Sequence, residues 1–227
     1  MTWLVVGLGN PGDEYAATRH NVGQMVIDHL AKRHNVKLST HKSRTDIAAY
    51  KLGVGADAHS IILAKSKSYM NESGGPIKAL ASFYSVAPEN IVVLHDELDI
   101  PYAAIRTKIA GGDNGHNGLK SLTSSLGTPE YFRVRLGIGR PMGQQDPADF
   151  VLKQFDKFSQ IYLDLKKYST SLTQGFEYVF YNANRNFTLQ YQLILAAIDP
   201  LETKEDSDKK IKLVSFIKFR YLRDFQT

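Results

Sequence analysis

The 227-residue chain contains no cysteine. This absence excludes disulfide bonds, thiolate metal sites and a cysteine nucleophile, and it is typical of a cytosolic protein. The sequence also lacks any apolar run near the ~20 residues that a membrane-spanning helix needs. It begins without a basic segment or a signal-like apolar segment. We therefore expect a cytoplasmic protein with no membrane partner.

The composition is that of an ordinary globular protein. Hydrophobic residues make up 43% and charged residues 22% of the chain. The formal net charge is +5 and the isoelectric point is about 9.2, which permits nucleic-acid binding but is equally typical of a mildly basic globular protein. No internal repeat is visible. The length suits one large domain, or one domain with an appendage.

The chain is organised around residues 3–23. Residues 3–6 form a short apolar, β-branched run, which predicts a strand buried on both faces. Three glycines and a proline in residues 7–12 then predict a tight turn that another molecule can approach closely. Asn21 is a candidate helix cap. The buried face of the helix that follows is predicted from the spacing of four apolar residues: Val22, Met25, Val26 and Leu30.

The glycines at positions 7, 9 and 12 match the dinucleotide-binding fingerprint. Pro11 removes one backbone donor that pyrophosphate would need. The helix pattern starts about ten residues too late, and the acidic residue expected about 20 residues further on lies inside the predicted helix, at Asp28. The surroundings of the glycines therefore argue against a Rossmann oxidoreductase.

Strand and helix patterns alternate through the rest of the chain. Strands are predicted at 47–52, 61–65, 91–94, 105–109 and 132–138, and helices near Pro76, at 119–126 and over 158–179. We expect a single α/β domain with a mixed, largely parallel twisted sheet flanked by helices. We assign residues 1–198 to this domain. Residues 199–210 are predicted as an exposed charged linker, and residues 211–221 alternate in polarity without revealing a role, so 199–227 forms an extension.

His20 and Asp96 are the candidate catalytic pair. A neutral imidazole can take a proton from water near neutral pH, provided that an acceptor orients its other nitrogen. Asp96, at the end of a buried strand, can supply that acceptor. A magnesium site at Asp96, Glu97 and Asp99 and a simple turn-capping role are the alternatives. We expect no metal, because no histidine nearby has a recognised ligand spacing.

Three asparagines, Asn10, Asn71 and Asn117, are flanked by glycine or small polar residues. Each alone is typical of a turn. Together they offer neutral amides that can both donate and accept hydrogen bonds without competing for protons.

Five motifs in order resemble the bacterial-type peptidyl-tRNA hydrolases. They are G-L-G-N-P-G at 7–12 with Y-x-x-T-R-H-N at 15–21, Y-M-N-E-S-G-G at 69–75, H-D-E-L-D-I-P at 95–101, G-H-N-G-L at 115–119 and R-V-R-L-G-I-G-R-P at 133–141. The resemblance covers roughly residues 3–190.

The resemblance implies roles for individual residues. His20 would be the general base, Asp96 its orienting partner, and Asn10 the residue that positions water or the scissile end. The resemblance also implies a substrate-binding set: Tyr15, Tyr69, Met70, Asn71, His116 and Asn117. Lys108 and Arg135 would contact tRNA phosphates, although alternation on their strands is also typical of a solvated face.

The resemblance further implies a metal-independent, cofactor-free esterase that acts as a monomer on the acceptor stem and CCA end of peptidyl-tRNA. No protein partner is implied. A non-catalytic RNA-binding homologue on the same scaffold is the alternative function. The segment before His116 departs from the family pattern, since Asp113 and Asn114 stand where glycine and histidine are usual. An acidic Asp113 could repel phosphate or change the mobility of this loop.

Overall fold

The computed structural model describes residues 1–141 and 144–155, together with 174, 176, 204–209, 211 and 212. The chain divides into two compact units, Met1–Gln154 and Phe155–Thr227. The first unit contains all the named strands and helices of the described residues.

Within the described residues, seven strands form one sheet in the order β2-β3-β4-β1-β5-β7-β6. The strands are β1 (Thr2–Gly7), β2 (Ser39–His41), β3 (Thr45–Leu52), β4 (His59–Ser66), β5 (Ile91–Glu97), β6 (Ile105–Ile109) and β7 (Phe132–Gly137). The central neighbours β4, β1, β5 and β7 pair in parallel. Both edges pair antiparallel, through β2 and β3 on one side and β6 on the other.

Helices cover both faces of the sheet. They are α1 (Asp13–Ala16), α2 (Val22–Arg33), α3 (Gly74–Phe83), α4 (Asn117–Leu126) and α5 (Pro147–Val151), with short 3₁₀ turns at Arg19–Asn21, Gly55–Asp57, Met70–Glu72 and Pro88–Asn90. The predicted α/β class with a mixed sheet flanked by helices is confirmed. All five predicted strands between residues 47 and 138 are present, with ends shifted by a few residues. None of the described helices is long and apolar enough to cross a membrane.

Alternation along β1 divides the core into two apolar layers. Leu4 and Val6 pack with apolar side chains of α3 and α4, including Ile77 and Leu122. Trp3 and Val5 pack on the opposite layer, which is built on α2. The central strands are therefore buried on both faces, as their near-continuous apolar sequences predict.

The buried face of α2 differs from the predicted one. Gly23, Ile27 and Ala31 are its buried residues, whereas Val22, Val26 and Leu30 are only partly buried beside them. The helix approaches the sheet so closely that a Cβ on Gly23 would overlap the carbonyl oxygen of Leu94. The residue of α2 that lies closest to the sheet is therefore a glycine. A search for large apolar side chains does not find it.

The second unit contains the described residues beyond 155. Residues 204–209 are helical, where the composition predicts an exposed linker, and Ile211 is buried. Lys212 Nζ lies 4.8 Å from the centre of the Phe176 ring. Of the predicted helix over 158–179, only residues 174 and 176 are described, and neither is helical. Most of the alternating segment at 211–221 also lies outside the described residues. The predicted boundary at residue 198 also lies outside them and stays a prediction.

Candidate active site

An open cleft of about 840 Å³ lies where the carboxyl ends of β1 and β5 meet the amino end of α4. This is the edge at which parallel α/β sheets place their ligands. Eight of the predicted site residues line it: Asn10, His20, Tyr69, Met70, Asn71, Asp96, His116 and Asn117. The sequence-based prediction that the strand-end loops converge is therefore correct for these residues.

Asp96 stands at the centre of the cleft floor and is 4% exposed. Its Oδ1 lies 2.9 Å from Nδ1 of His20 and 3.0 Å from Nε2 of His116. The two imidazole rings lie 4.9 Å apart between centroids. One carboxylate oxygen thus holds two histidines, of which His20 is the predicted base and His116 the predicted accessory residue.

The hydrogen bonds of His116 fix its tautomer. Its Nδ1 accepts from the backbone N–H groups of Gly118 and Leu119, at 3.1 and 3.4 Å, because backbone nitrogens can only donate. Nε2 therefore carries the ring proton and donates it to Asp96. With the same acceptor facing Nδ1 of His20, that nitrogen is also the donor, and Nε2 of His20 keeps the lone pair that a base needs.

The charge state of Asp96 supports this assignment. Burial raises the pKa of its carboxyl group, but the nearby His116 and His20, with their hydrogen bonds, outweigh burial and hold the pKa below its usual range. Asp96 is therefore an ionised acceptor at neutral pH. An ionised, buried carboxylate can orient a histidine and stabilise the imidazolium that would form if the ring took a proton.

His95, beside Asp96 on β5, is a third histidine at this site, and sequence reasoning gave it no role in the chemistry. It is 2% exposed, and its Nδ1 donates to the backbone oxygen of Asp96 at 2.8 Å. Its ring meets that of His116 edge to face, 5.1 Å away. Burial, with a smaller contribution from His116, lowers the pKa of His95 to about 4. His95 is thus a neutral support beneath the catalytic pair.

The nitrogen and oxygen atoms of His20, Asp96 and His116 all lie within 4.8 Å of one another, a spacing that a metal ion could use. Sequence reasoning, which looked for ligand spacings close to Asp96 in the chain, did not find this group because His20 and His116 come from distant parts of the chain. The nitrogens that face Asp96 are, however, engaged as N–H donors. A metal would have to displace both hydrogen bonds, so this donor set favours a hydrogen-bonded triad over a metal centre.

Asn10 is fixed on three sides. Its Oδ1 accepts from the backbone N–H of Met70 at 2.8 Å, which leaves the Nδ2 amide hydrogens as the end that faces the cleft. The Asn21 side chain holds the Asn10 backbone through two bonds of 2.8 Å, one to N–H and one from Nδ2 to the carbonyl oxygen. Asn21 stands at the N-cap position of α2 without capping it, so the predicted cap is wrong: its side chain holds the glycine loop instead.

These same bonds exclude a dinucleotide site. The N–H of Asn10 is engaged by Asn21, and a Cβ on Gly9 would lie 2.8 Å from the Gln24 side chain. The glycines at 7 and 9 therefore allow helix α2 to approach the strand, and the loop N–H that would bind pyrophosphate is already used.

The segment 69–71 forms the wall beside Asn10. Met70 is buried in the core under α3 and α4, so the core and site interpretations of this residue both apply. Tyr69 is 54% exposed, and Tyr15 meets it edge to face at 6.5 Å. Tyr15 lies beside Tyr69 and outside the set of residues that line the cleft. Asn71 and Asn117 are exposed at the cleft, where a ligand can reach their amides.

The loop before His116 is held in a defined conformation. Asp113 accepts from the N–H of Gly115 through Oδ1 and from the N–H of His116 through its backbone oxygen, both at 2.9 Å. Asn114 adopts a positive φ of 50°, which asparagine tolerates better than most residues. Arg133, which is 2% exposed, donates to the carbonyl oxygens of Gly111 and Gly112 at 2.7 and 2.6 Å.

Lys108 and Arg135 lie outside the cleft, on the strands β6 and β7. The register pairs Lys108 with Arg133 and Arg106 with Arg135, so these four cations share one face of the ladder. Lys108 is exposed. Arg135 is partly buried, and its Nε donates to Oε2 of Glu97 at 3.1 Å. Arg106 was missed, although its period-2 spacing from Lys108 was a usable signal.

Helix α5 adds a wall that sequence reasoning also missed. Asp146 caps it by accepting from the N–H of Ala148 at 2.8 Å, and Pro147 occupies its first position. Arg19 donates to the carbonyl oxygen of Gln154 at 2.6 Å and lies 4.3 Å over the Phe150 ring. This segment is thereby tied to the chain just before His20. The Asp-Pro pair was a signal that could have located the helix.

Comparison with known proteins shows which family the chain resembles. The family model described as peptidyl-tRNA hydrolase matches residues 4–192, which extends past the boundary between the two compact units. A peptidyl-tRNA hydrolase of Frankia casuarinae is 58% identical over 153 residues, 67% of this chain and 76% of its own. One from Arthrobacter sp. (strain FB24) is 53% identical over 154 residues, 68% of this chain and 78% of its own.

Solved structures agree as well. The crystal structure of peptidyl-tRNA hydrolase from Acinetobacter baumannii has 31% sequence identity and a TM-score of 0.64, and the match covers 88% of this chain and 96% of that one. The family match covers most of the chain and includes the described parts that build the cleft. The chain belongs to the peptidyl-tRNA hydrolase family.

Proposed function

We propose that this chain hydrolyses the ester bond between a peptide, or an N-blocked aminoacyl group, and the 3′ ribose of tRNA. The products are a free carboxylate and a tRNA with a 3′ hydroxyl, so that tRNA from stalled or prematurely released peptidyl-tRNA is recycled. The 2.9 Å hydrogen bond between His20 Nδ1 and Asp96, inside the cleft of a family member, carries the proposal.

The proposed reaction begins when Nε2 of His20 takes a proton from a water molecule. The resulting hydroxide adds to the ester carbonyl carbon, and Asp96 stabilises the imidazolium by accepting the Nδ1 hydrogen bond. The tetrahedral intermediate then expels the ribose oxygen, which receives the proton from His20. No net proton is stored on the enzyme over one turnover.

Neutral amides would stabilise the negative oxygen of this intermediate. Nδ2 of Asn10 is available as a donor because Oδ1 is engaged by Met70, and Asn71, which also lines the cleft, would contribute a second amide. Preorganised donors of this kind contribute about 10²–10³ in kcat each.

Asn117, at the first turn of α4, would hold the peptide backbone together with His116 and Met70. A neutral amide pairs with a peptide N–H, whereas it does not balance the charge that the α-ammonium of a free aminoacyl ester would bring to the same place. The Tyr15–Tyr69 pair, beside the cleft, would stack on the terminal adenine of the CCA end. Lys108 and Arg135 would contact phosphates of the acceptor stem.

We further propose that the protein acts as a monomer in the cytoplasm, where its substrate arises, without a metal or cofactor. The donor set supports the absence of a metal, because the histidine nitrogens that face Asp96 are engaged as N–H donors.

The test compares N-acetyl-phenylalanyl-tRNA with phenylalanyl-tRNA as substrates. We expect release of N-acetyl-phenylalanine at least tenfold faster than release of phenylalanine. Tight binding of both tRNAs without release of either amino acid would instead support the non-catalytic RNA-binding homologue. Equal rates on both esters would refute the proposed role of the asparagines in selecting peptides.

A further inference from the structure

The side chain of Glu97, the last residue of β5, accepts three hydrogen bonds. It is 6% exposed, and it lies at the rim of the cleft. Oε2 accepts from Nε of Arg135 at 3.1 Å and from Nδ2 of Asn114 at 3.3 Å. Oε1 accepts from the backbone N–H of Asp99 at 3.3 Å. One buried carboxylate therefore connects three segments of the chain.

The first connection bears on tRNA binding. A guanidinium has five N–H donors in one plane, and Glu97 engages Arg135 at Nε, which leaves the terminal N–H groups for an external anion. Because Glu97 holds one edge of the guanidinium plane, Arg135 would lose less conformational entropy when it binds a phosphate through two hydrogen bonds. Glu97 thereby preorganises Arg135 and does not compete with phosphate for the terminal N–H groups.

The second connection bears on the chemistry. Asn114 lies two residues before His116 and three before Asn117, in the loop that Arg133 holds at Gly111 and Gly112. The Asn114 amide has to present its NH₂ group, because a carboxylate only accepts. Glu97 is thus the support for the half of the loop that is nearest to the residues of the cleft.

We propose that Glu97 is a positioning residue that couples tRNA binding to the catalytic loop, by sharing one carboxylate oxygen between Arg135 and Asn114. Phosphate bound at Arg135 fixes Glu97, and Glu97 in turn fixes the loop that carries His116 and Asn117. A substrate with an acceptor stem is therefore processed from a better ordered site than a short ester is. The inference rests on the proposed function, because it assigns Arg135 to phosphate and His116 to the site.

The side chain of Asn114 is what makes this link, through its Nδ2. A glycine at this position would have no side chain that could reach Glu97, so the interaction gives this chain a means of ordering the loop that a glycine would lack.

The test uses two substrates: N-acetyl-phenylalanyl-tRNA, and the N-acetyl-phenylalanyl ester of the trinucleotide CCA, which lacks the acceptor stem. Asn114→Gly should lower kcat about three- to tenfold on the short ester, the size expected when one hydrogen bond is removed, and by a larger factor on the tRNA substrate, which also loses the ordering by bound phosphate. KM should change little for either substrate. Glu97→Gln should lower kcat on the short ester by the same factor, and should also raise KM for the tRNA several-fold at low salt. The double variant should be no slower on the short ester than Glu97→Gln alone.

Two matched variants serve as controls. Glu89→Gln makes the same charge change before the other end of β5, at an exposed residue. Asn35→Gly makes the same replacement at an exposed asparagine that also has a positive φ, 53°. Both should retain the kcat and KM of the wild type on both substrates.

The inference is overturned if Glu97→Gln matches the wild type on the short ester, or if its effect multiplies with that of Asn114→Gly. Should Glu97→Gln fail to fold, Asn114→Gly still decides, because its side chain lies in an exposed loop, and a wild-type kcat would refute the link. If the wild-type chain releases no product from either substrate, the proposed function has failed. If it processes both and Glu97→Gln behaves normally, only the role of Glu97 has failed.

Discussion

Asn10 illustrates how one side chain can serve the fold with one atom and the chemistry with another. Its Oδ1 is engaged by the N–H of Met70, and its Nδ2 faces the cleft. Asn10→Asp keeps an acceptor for Met70 but replaces the amide donor by a carboxylate oxygen. We expect kcat to fall by about 10²–10³, while the melting temperature stays within a few degrees of the wild type. Asn10→Ala, which also removes the Met70 bond, should reduce stability by about 1–3 kcal/mol. A wild-type kcat for Asn10→Asp would refute the role of the amide as a donor.

His95 makes the stability of the fold depend on pH. Its pKa is lowered to about 4 in the folded protein, against about 6.5 in the unfolded chain. Between these values the unfolded chain binds more protons, so the free energy of unfolding falls as the pH drops from 6.5 towards 4. The loss between pH 7 and pH 5 should be about 2 kcal/mol. Asp96, whose pKa is also depressed, adds a further loss below its unfolded value of about 3.8.

Urea unfolding at pH 7 and pH 5 measures this loss. His95→Gln, which cannot titrate, should be less stable than the wild type at pH 7 but should lose much less stability between the two pH values. His29→Gln, at an exposed position of α2, should keep the pH dependence of the wild type. If His95→Gln shows the same loss as the wild type, His95 is not the group responsible.

Single residues also show how far sequence reasoning reaches. The pairing of His20 with Asp96 was predictable, because a loop histidine and a strand-end carboxylate meet at the same edge of a parallel sheet. The second hydrogen bond to Asp96, from His116, could not be predicted, because it depends on where the amino end of α4 lies. Asn21 was misassigned because an asparagine side chain can equally well cap a helix or hydrogen-bond to the backbone of a neighbouring loop. Only tertiary contacts decide between the two.

At the scale of secondary-structure elements, the approach of α2 to the sheet positions the site. His20 immediately precedes this helix, and a Cβ on Gly23 would overlap backbone atoms of Leu94 and Leu8. Gly23→Ala should therefore lower the free energy of unfolding by at least about 2 kcal/mol. It should also lower kcat, because the helix start that carries His20 must shift.

Gly75→Ala is the control for this prediction. Gly75 is exposed at the start of α3, and an added Cβ there has nothing within 4 Å among the described atoms. It should be neutral or stabilising by up to about 1 kcal/mol. Chemical denaturation compares the two variants, and equal stabilities would contradict the close packing of α2.

The elements that sequence reasoning found are those with strong apolar patterns. β1 and β5 are buried on both faces, and α4 places Leu119 and Leu122 in the core. The elements it missed, α1, β2 and α5, have three to five residues each. Such short segments contain too little of a period to be recognised, and α5 depends on a cap and on the tether from Arg19.

At the scale of the whole molecule, the surface that we propose for tRNA binding is the face of the β6–β7 ladder that carries Lys108. Four cations share one face of the β6–β7 ladder, and Lys108 is exposed among them. Lys108→Gln should raise KM for N-acetyl-phenylalanyl-tRNA and reduce the slope of log KM against log salt by about one for each phosphate that the lysine neutralises. Lys51→Gln, at an exposed lysine of β3, should leave both unchanged. An unaltered slope for Lys108→Gln would place the tRNA elsewhere.

The central claim is that His20, oriented by Asp96, performs metal-free ester hydrolysis. Its most direct test is the release of N-acetyl-phenylalanine from N-acetyl-phenylalanyl-tRNA in the presence of EDTA, for the wild type, His20→Ala and His29→Ala. We predict that the wild type and His29→Ala turn over at full rate with the chelator, and that His20→Ala loses at least about 10²-fold in kcat while it still binds the tRNA. Loss of wild-type turnover in EDTA, or a His20→Ala variant that retains it, would contradict the account.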